Sequence, residues 1–244
     1  MIEVRQLSTQ AEFVEAVRLQ QAVWGFEDLE LLPVRLFVVA TKVGGHAFGA
    51  YDGGRMAGFC LAIPGLKAGG KYYLHSHMLG VLPEYRNTGV GRALKLEQRK
   101  DALSRGIPLI EWTFDPLEIK NAYLNLERLG AVVRRYVLNQ YGTTSSRLHG
   151  GLPTDRCVAE WWVSSPRAEA IVNRRPFPRN ATEARISVPA DIAAIRETDH
   201  TRAREIQAQV SGQFLKHLDQ GLAVIGFERS AEAGTYLLGK WESS

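Results

Sequence analysis

The chain has 244 residues, 45% of them hydrophobic and 23% charged, which places it among ordinary globular proteins with a buried core in one large domain or two small ones. Its excess of four positive charges is spread over dispersed arginines with no aromatic-studded basic stripe, which argues against nucleic acid as a partner. The start Met1-Ile-Glu-Val-Arg-Gln lacks the features of a signal peptide, and no apolar stretch approaches the roughly eighteen residues of a membrane span, so a soluble, cytoplasmic protein with no membrane partner is expected.

Taken in order, Glu3 to Leu7 reads as a short strand, and Ser8-Thr9 with Glu12 as a capping box that opens a helix through Phe13, Val17 and Leu19. Trp24-Gly25-Phe26 breaks that helix. Leu32 to Thr41 is a second helix introduced by Pro33, and Gly44-Gly45 a turn. His46 to Tyr51 and Arg55 to Ile63 form a hairpin about Asp52-Gly53-Gly54, and Pro64 to Gly70 reads as a loop. Cys60 lies in one apolar run and Cys157 in another, which predicts buried free thiols.

Lys71 to Leu82 is the long strand of the pattern. Strict alternation puts Tyr73, His75, His77, Leu79 and Val81 on one face, so two imidazoles stand side by side. A histidine near neutral pKa can take the proton from an attacking amine. The residues alone equally allow a core histidine, a strand-surface pair or half of a metal site, and with no third ligand at a usable spacing no metal is expected.

The strand runs into Tyr85-Arg-Asn-Thr-Gly-Val-Gly-Arg-Ala93, and an amphipathic helix opens at Gly89 with Val90, Ala93, Leu94 and Leu96 on its apolar side. A helix start after a glycine turn offers unpaired N–H groups and a favourable dipole to an anion. Arg86, Arg92 and Lys95 add positive charge suited to a diphosphate. A Walker A loop would need Gly-Lys-Ser/Thr, which the chain lacks. A dinucleotide fingerprint would need a small residue at Leu94, which leaves the acidic Glu111 downstream a coincidence.

Arg86-x-x-Gly89-x-Gly91-x-Ala93, with its preceding strand, resembles the acetyl-CoA-binding motif of the GNAT N-acetyltransferases. The resemblance implies that Asn87, Thr88, Gly89, Val90, Gly91 and Arg92, with Arg86, cradle the pyrophosphate of acetyl-CoA or another short acyl-CoA. It also implies that the backbones of Leu79 and Val81 pair with the pantetheine arm. His75-Ser-His77 followed by x-Leu79-x-Val81 resembles the strand of arylalkylamine N-acetyltransferases whose histidines relay the acceptor's proton. Trp24, Phe26 and Leu31 become candidates for an acceptor pocket, with packing the equal alternative.

Gly106 caps the helix, Ile107 to Phe114 reads as a strand ended by Asp115-Pro116, and Glu118 to Leu129 as a helix closed by Gly130. Asn121-Ala-Tyr-Leu-Asn-Leu-Glu-Arg-Leu-Gly130 resembles the second GNAT motif, in which Asn121 or Asn125 would bond the pantetheine. The tyrosine that commonly protonates the departing thiolate falls at Leu126. Tyr123, a turn earlier on roughly the same face of an α-helix, is the substitute, with Tyr136 and Tyr141 as further candidates. Ala131 to Leu138 and Arg156 to Val163 read as strands, and the polar stretch 139 to 154 between them as a loop that could cover the acceptor site.

The expected fold is therefore α/β (α+β), a GNAT-type mixed, mostly antiparallel central sheet flanked by helices. Residues 1–163 are expected to form the catalytic domain and 164–244 a C-terminal α/β extension. Ser164 to Thr182 reads as a wandering connection. The helix, helix, strand, strand order beyond it resembles the first part of a GNAT unit without a matching sequence repeat. The expected function is acyl transfer from CoA to a primary amine of a small molecule, and a non-catalytic CoA-binding module is the alternative that Leu126 favours. The amine, the acyl chain and whether the chain forms a homo-oligomer are not legible.

Overall fold

A computed structural model describes residues 2–142 and 151–241. The chain divides into two compact units, 2–112 and 113–241 over the described residues, and passes from one to the other within a strand. The part of the 139 to 154 loop that was expected to cover the acceptor site lies largely outside the described residues.

The first unit has strands β1 (Ile2–Gln6), β2 (His46–Asp52), β3 (Arg55–Lys67), β4 (Lys71–Val81) and the start of β5 (Leu109–Phe114), with helices α1 (Gln10–Trp24), α2 (Val34–Lys42) and α3 (Val90–Ser104). The strands lie in the order β1-β2-β3-β4-β5; all neighbours are antiparallel except β4 and β5. Helix α1 starts where the capping box predicts: Thr9 Oγ1 accepts from the Glu12 N–H at 3.3 Å, and the Glu12 carboxylate accepts from the Thr9 N–H at 2.9 Å. Phe13, Leu19 and Phe37 of α1 and α2 pack with Phe59 and Leu61 of β3 on one face of the sheet. Val90 and Leu94 of α3 pack with Phe48 and Cys60 on the other. A sheet covered on both sides needs apolar residues on both, which is why β2 is buried from His46 to Tyr51.

The predicted loop at Pro64 to Gly70 is mostly strand. β3 continues to Lys67, paired with β4 down to Lys71, and only the tip turns, at Gly69 and Gly70 with φ of 78° and 74°. Pro64 breaks no ladder because the pairing with β2 ends at Ala62, so its missing N–H faces an edge.

The second unit carries α4 (Ile119–Tyr123), β6 (Val132–Val137), β7 (Arg156–Trp162), α5 (Pro166–Val172), β8 (Ala184–Pro189), α6 (Ile192–Thr198), α7 (His200–Asp219), β9 (Ala223–Arg229) and β10 (Ala233–Gly239). Its strands are ordered β7-β6-β9-β10-β8 with antiparallel neighbours. Helix α5 lies where a wandering connection was expected. Ser165 caps it by accepting from the Ala168 N–H at 3.2 Å, and Pro166 is its first residue, a position where proline costs no bond. The core of this unit is aromatic: Phe214 of α7 stacks on Tyr136 at 4.8 Å and meets Tyr236 edge-on at 5.0 Å. The order β8-α6-α7-β9-β10 repeats that of β1-α1-α2-β2-β3, but β8 pairs with β10, whereas β1 pairs with β2, so the likeness stops at element order.

Candidate active site

The pairing of β4 with β5 covers two steps, Leu74 with Ile110 and His75 with Glu111. Beyond them the described residues show no further ladder, and the β4 edge from Ser76 to Val81 stays open. On its other edge β4 departs from regular pairing: Leu61 opposes Met78 and the next residue, Ala62, opposes Ser76, so His77 has no opposite number. This is a β-bulge, which leaves a backbone unit out of the ladder and re-aims the side chains around it.

The bulge corrects the expected single face. Ser76 turns toward α3, where its hydroxyl donates to Gln98 at 2.9 Å, and Leu79 and Val81 pack on the α3 side. Met78 packs on the α1 and α2 side. His75 and His77 do lie together, with ring centroids 5.9 Å apart, but on the face opposite Leu79 and Val81. His77 reaches solvent while His75 is half-buried. Enough protein surrounds the His77 ring for desolvation to hold its pKa below the ordinary imidazole value.

Past β4 the chain makes a short 3₁₀ turn at Pro83–Tyr85 and enters α3 through Arg86, Asn87, Thr88 and Gly89. Asn87 and Gly89 have φ of 63° and 97° on either side of Thr88, whose hydroxyl donates to the Tyr85 carbonyl at 2.7 Å. Alternation of this kind turns successive N–H groups to one side, as in an anion nest. No side chain caps α3, no acidic residue stands in its first turn, and a Cβ built on Gly89 would meet nothing within 4 Å. An anion can therefore approach this backbone. Gly91 faces the sheet instead, where a Cβ would sit 3.5 Å from Leu79 and 3.8 Å from Val81.

Of the three cations expected around the turn, Arg86 and Lys95 do other work. The Arg86 guanidinium donates to the carbonyls of Val81 and Val23, at 3.4 and 3.3 Å, and so clips the turn to β4 and to the end of α1. Lys95 is 3% exposed. It lies 3.6 Å from the Trp112 ring centroid and donates to Ser76 Oγ at 2.8 Å. The chain continues from Ser76 to Gln98, whose Nε2 meets His46 Nε2 at 3.0 Å, and from His46 Nδ1 to Asp101 at 2.7 Å. Burial pulls the Lys95 ammonium down to about 7.

The unfolded chain keeps an ordinary lysine, so between pH about 7 and about 10 it binds more protons than the folded one, and stability rises with pH over that window. The penalty is complete below the folded pKa and gone above the unfolded one. Lys95→Met is expected to flatten this dependence, which reaches at most about 1.4 kcal/mol per pH unit. Urea unfolding at pH 7 and pH 9.5 measures it.

Trp24 and Phe26 stack at 5.5 Å, and Trp24 packs on the bare backbone of Gly80, where a Cβ would come within 2.9 Å of its ring. Trp24 is therefore part of the packing beneath β4. Leu31 is half-buried.

In the second unit, α4 passes at Leu124–Arg128 into a turn of π-helix, whose wider winding breaks the 3.6-residue period. Leu126 is fully buried, while Tyr123 is half-buried with the Arg229 guanidinium 3.8 Å above its ring. Asn121 is exposed and Asn125 is 4% exposed. Of the further tyrosines, Tyr136 meets Ser211 at 2.8 Å and Tyr141 meets Thr113 at 2.8 Å.

An open strand edge leading to an uncapped, glycine-faced helix start fits an elongated ligand with an amide-bearing arm and an anionic end, which is the build of an acyl-CoA. Residues 10–124 match the acetyltransferase (GNAT) family. A search of curated proteins finds no match. Among solved structures, a GNAT-family protein from Desulfovibrio desulfuricans is 17% identical with a TM-score of 0.54, over 67% of this chain and 100% of its own. The ribosomal-protein-S18-alanine N-acetyltransferase of Escherichia coli is 20% identical with a TM-score of 0.53, over 68% and 96%. Arabidopsis thaliana NAA60 in complex with a bisubstrate analogue is 17% identical with a TM-score of 0.53, over 66% and 98%. Just under half of the chain, residues 10–124, thus matches the GNAT acetyltransferase family, and the solved structures share its fold.

Proposed function

We propose that the chain moves an acetyl or related short acyl group from CoA to a primary amine of a small molecule, by direct transfer in a ternary complex. The observation that carries this reading is the pair His75–His77 beside the point where β4 and β5 cease to pair, with the His77 pKa lowered by desolvation. Acetyl-CoA supplies an acyl group already activated as a thioester. The chain's own groups do the rest. The nest at Asn87 to Val90 and the start of α3, with Gly91 and Arg92, hold the pyrophosphate, and Arg86 fixes that turn in place. The open edge at Leu79 and Val81 aligns the pantetheine arm. The backbone left unpaired by the bulge can donate to the thioester oxygen. His77 takes the amine's proton, either directly or through water, and returns it to solvent.

Asn121 and Asn125 are the proposed bonding partners of the pantetheine from the second motif. Tyr123 is the proposed proton donor to the leaving thiolate. Residues 1–163 are proposed as the catalytic domain, and the share of the chain covered by the whole-length GNAT structures, about two-thirds, supports that division. Residues 164–244 would then be an α/β extension.

Calorimetry with acetyl-CoA, followed by thiol release in the presence of small primary amines and of peptides with free N-termini, tests the reading. Binding, little release without acceptor and release with small amines are expected. Release with peptides alone would overturn the acceptor class. An acyl-enzyme detected by mass spectrometry would overturn direct transfer.

A further inference from the structure

Leu74 is fully buried, and alternation places it on the same face of β4 as Ser76, toward α3. Leu79 also packs on the α3 side. The two leucines are an odd number of residues apart, which regular alternation forbids, so one extra residue must stand somewhere between them. Burial of the leucines alone does not say where. With the extra residue at His75, Leu74 and Leu79 would keep their places, but Ala62 would oppose His77 and the His77 ring would turn in toward α3. The observed register has Ala62 opposite Ser76 and the extra residue at His77.

Ser76 is what separates the two registers. Its hydroxyl accepts from the Lys95 ammonium at 2.8 Å and donates to Gln98 Oε1 at 2.9 Å, and with the extra residue at His75 it would point away from both. The line these groups form has a direction. An ammonium has only protons to give, so Ser76 donates onward to Gln98, the Gln98 amide donates to His46 Nε2 at 3.0 Å, and His46 Nδ1–H donates to Asp101 at 2.7 Å. Asp101 is ion-paired in turn with Arg105. Moving Ser76 would take the hydroxyl acceptor from a buried ammonium and the donor from a buried amide oxygen.

Stability does not explain a nearly sealed ammonium, since a methionine of similar length would fill the site without the desolvation penalty. Buried polar groups kept against such a penalty are best known for fixing register, as a single buried asparagine does in a coiled coil.

We infer that Lys95 and Gln98 are positioning residues: by gripping Ser76 they hold the extra residue of β4 at His77, so that the His77 ring faces away from α3 and its backbone unit is the one left out of the ladder. The inference rests on the proposed transfer at this bulge. Both residues act through Ser76 and not on the reacting groups.

Cross-strand nuclear Overhauser contacts from Ala62, measured without acetyl-CoA, report the register. In the native chain they go to Ser76. Lys95→Met and Ser76→Ala are expected to bring contacts from Ala62 to His77, and Ser76→Thr, which keeps a hydroxyl, to retain the native set. In turnover, Lys95→Met and Ser76→Ala should lose about tenfold to a hundredfold in kcat, the scale of a misplaced reacting group. KM for acetyl-CoA should stay unchanged, because the turn from Asn87 to Val90 is untouched. Lys95→Met should meanwhile melt no lower than the native chain at pH 7, whereas loss of a merely structural residue lowers stability and turnover together. That joint loss, unchanged Ala62 contacts in both variants, or shifted contacts with native kcat overturns the inference. Should Lys95→Met fail to fold, Ser76→Ala with Ser76→Thr as its control is read in the same way.

The register measurement needs neither acetyl-CoA nor turnover. Contacts that shift as expected, in a chain whose native form acetylates no amine, sink the proposed function and leave the register control standing. An active native chain whose variants keep both register and kcat does the reverse.

Discussion

His77→Gln lowers turnover about a hundredfold or more, the usual scale for loss of a general base, while acetyl-CoA affinity stays close to that of the native chain. Glutamine keeps a polar side chain of similar reach on the bulge but cannot accept a proton. Because His77 is held below the ordinary imidazole pKa, native turnover should persist to mildly acidic pH and fall only as His77 becomes protonated. In the variant that acidic limb should vanish. The deficit should shrink as pH approaches the pKa of the amine, since the acceptor then arrives already neutral. A histidine with only a packing role predicts a lower melting temperature and an unchanged pH profile. Its exposure makes that outcome the harder one to explain. Steady-state rates from pH 5.5 to 9.5, with a melting curve at each pH, separate the two.

Gly91→Asp weakens acetyl-CoA binding by at least about a hundredfold, or about 2.7 kcal/mol, without unfolding the chain. The position has ordinary helical backbone, and its Cβ would make normal contacts with Leu79 and Val81, so the helix can form. A carboxylate in a first turn even favours the helix dipole. The added carboxylate would start beside Leu79 and Val81, at the edge proposed for the pantetheine, so the loss falls on the ligand through bulk and charge where the arm meets the diphosphate. Gly91→Ala is the matched control: it adds the Cβ without the charge and should cost far less. Equal affinities for Asp and Ala in calorimetry would mean that the diphosphate does not lie at this turn.

Much of the first unit could be read from the sequence because its signals are local. Thr9 and Glu12 announce α1, Gly53-Gly54 announces the β2–β3 turn, and the strand before Gly89 with the helix after it announces the anion site. What was missed depends on one residue more or less, or on contacts far along the chain. Alternation along β4 carries no mark of the extra residue at His77, because a bulge is set by pairing with β3. Lys95 looked like a phosphate ligand by nearness to Gly91. Yet Val90, Leu94, Gln98 and Ala102 recur at four-residue spacing, and Lys95 belongs to that buried stripe. Nothing local ties Glu111 to Lys67, forty-four residues away. The prolines of Ser164 to Thr182 give it the look of a connection, yet Pro166, directly after Ser165, starts α5. The winding change at Leu124–Arg128 likewise leaves no periodic trace, so the facing of Tyr123 could not be taken from α-helical spacing.

The outer end of the β3–β4 hairpin stands apart from the rest of the first unit. Pairing with β2 ends at Ala62 and pairing with β5 at Leu74 and His75, so Gly65 to Lys67 of β3 and Lys71 to Tyr73 of β4 run on as a two-stranded arm. A two-stranded ribbon is held by fewer neighbours than strands inside a sheet. Strand β4 near Leu79 and Val81, and α3, sit in the packed body of the unit. Changes confined to the arm, residues 65–73, can thus be absorbed while that body stays intact.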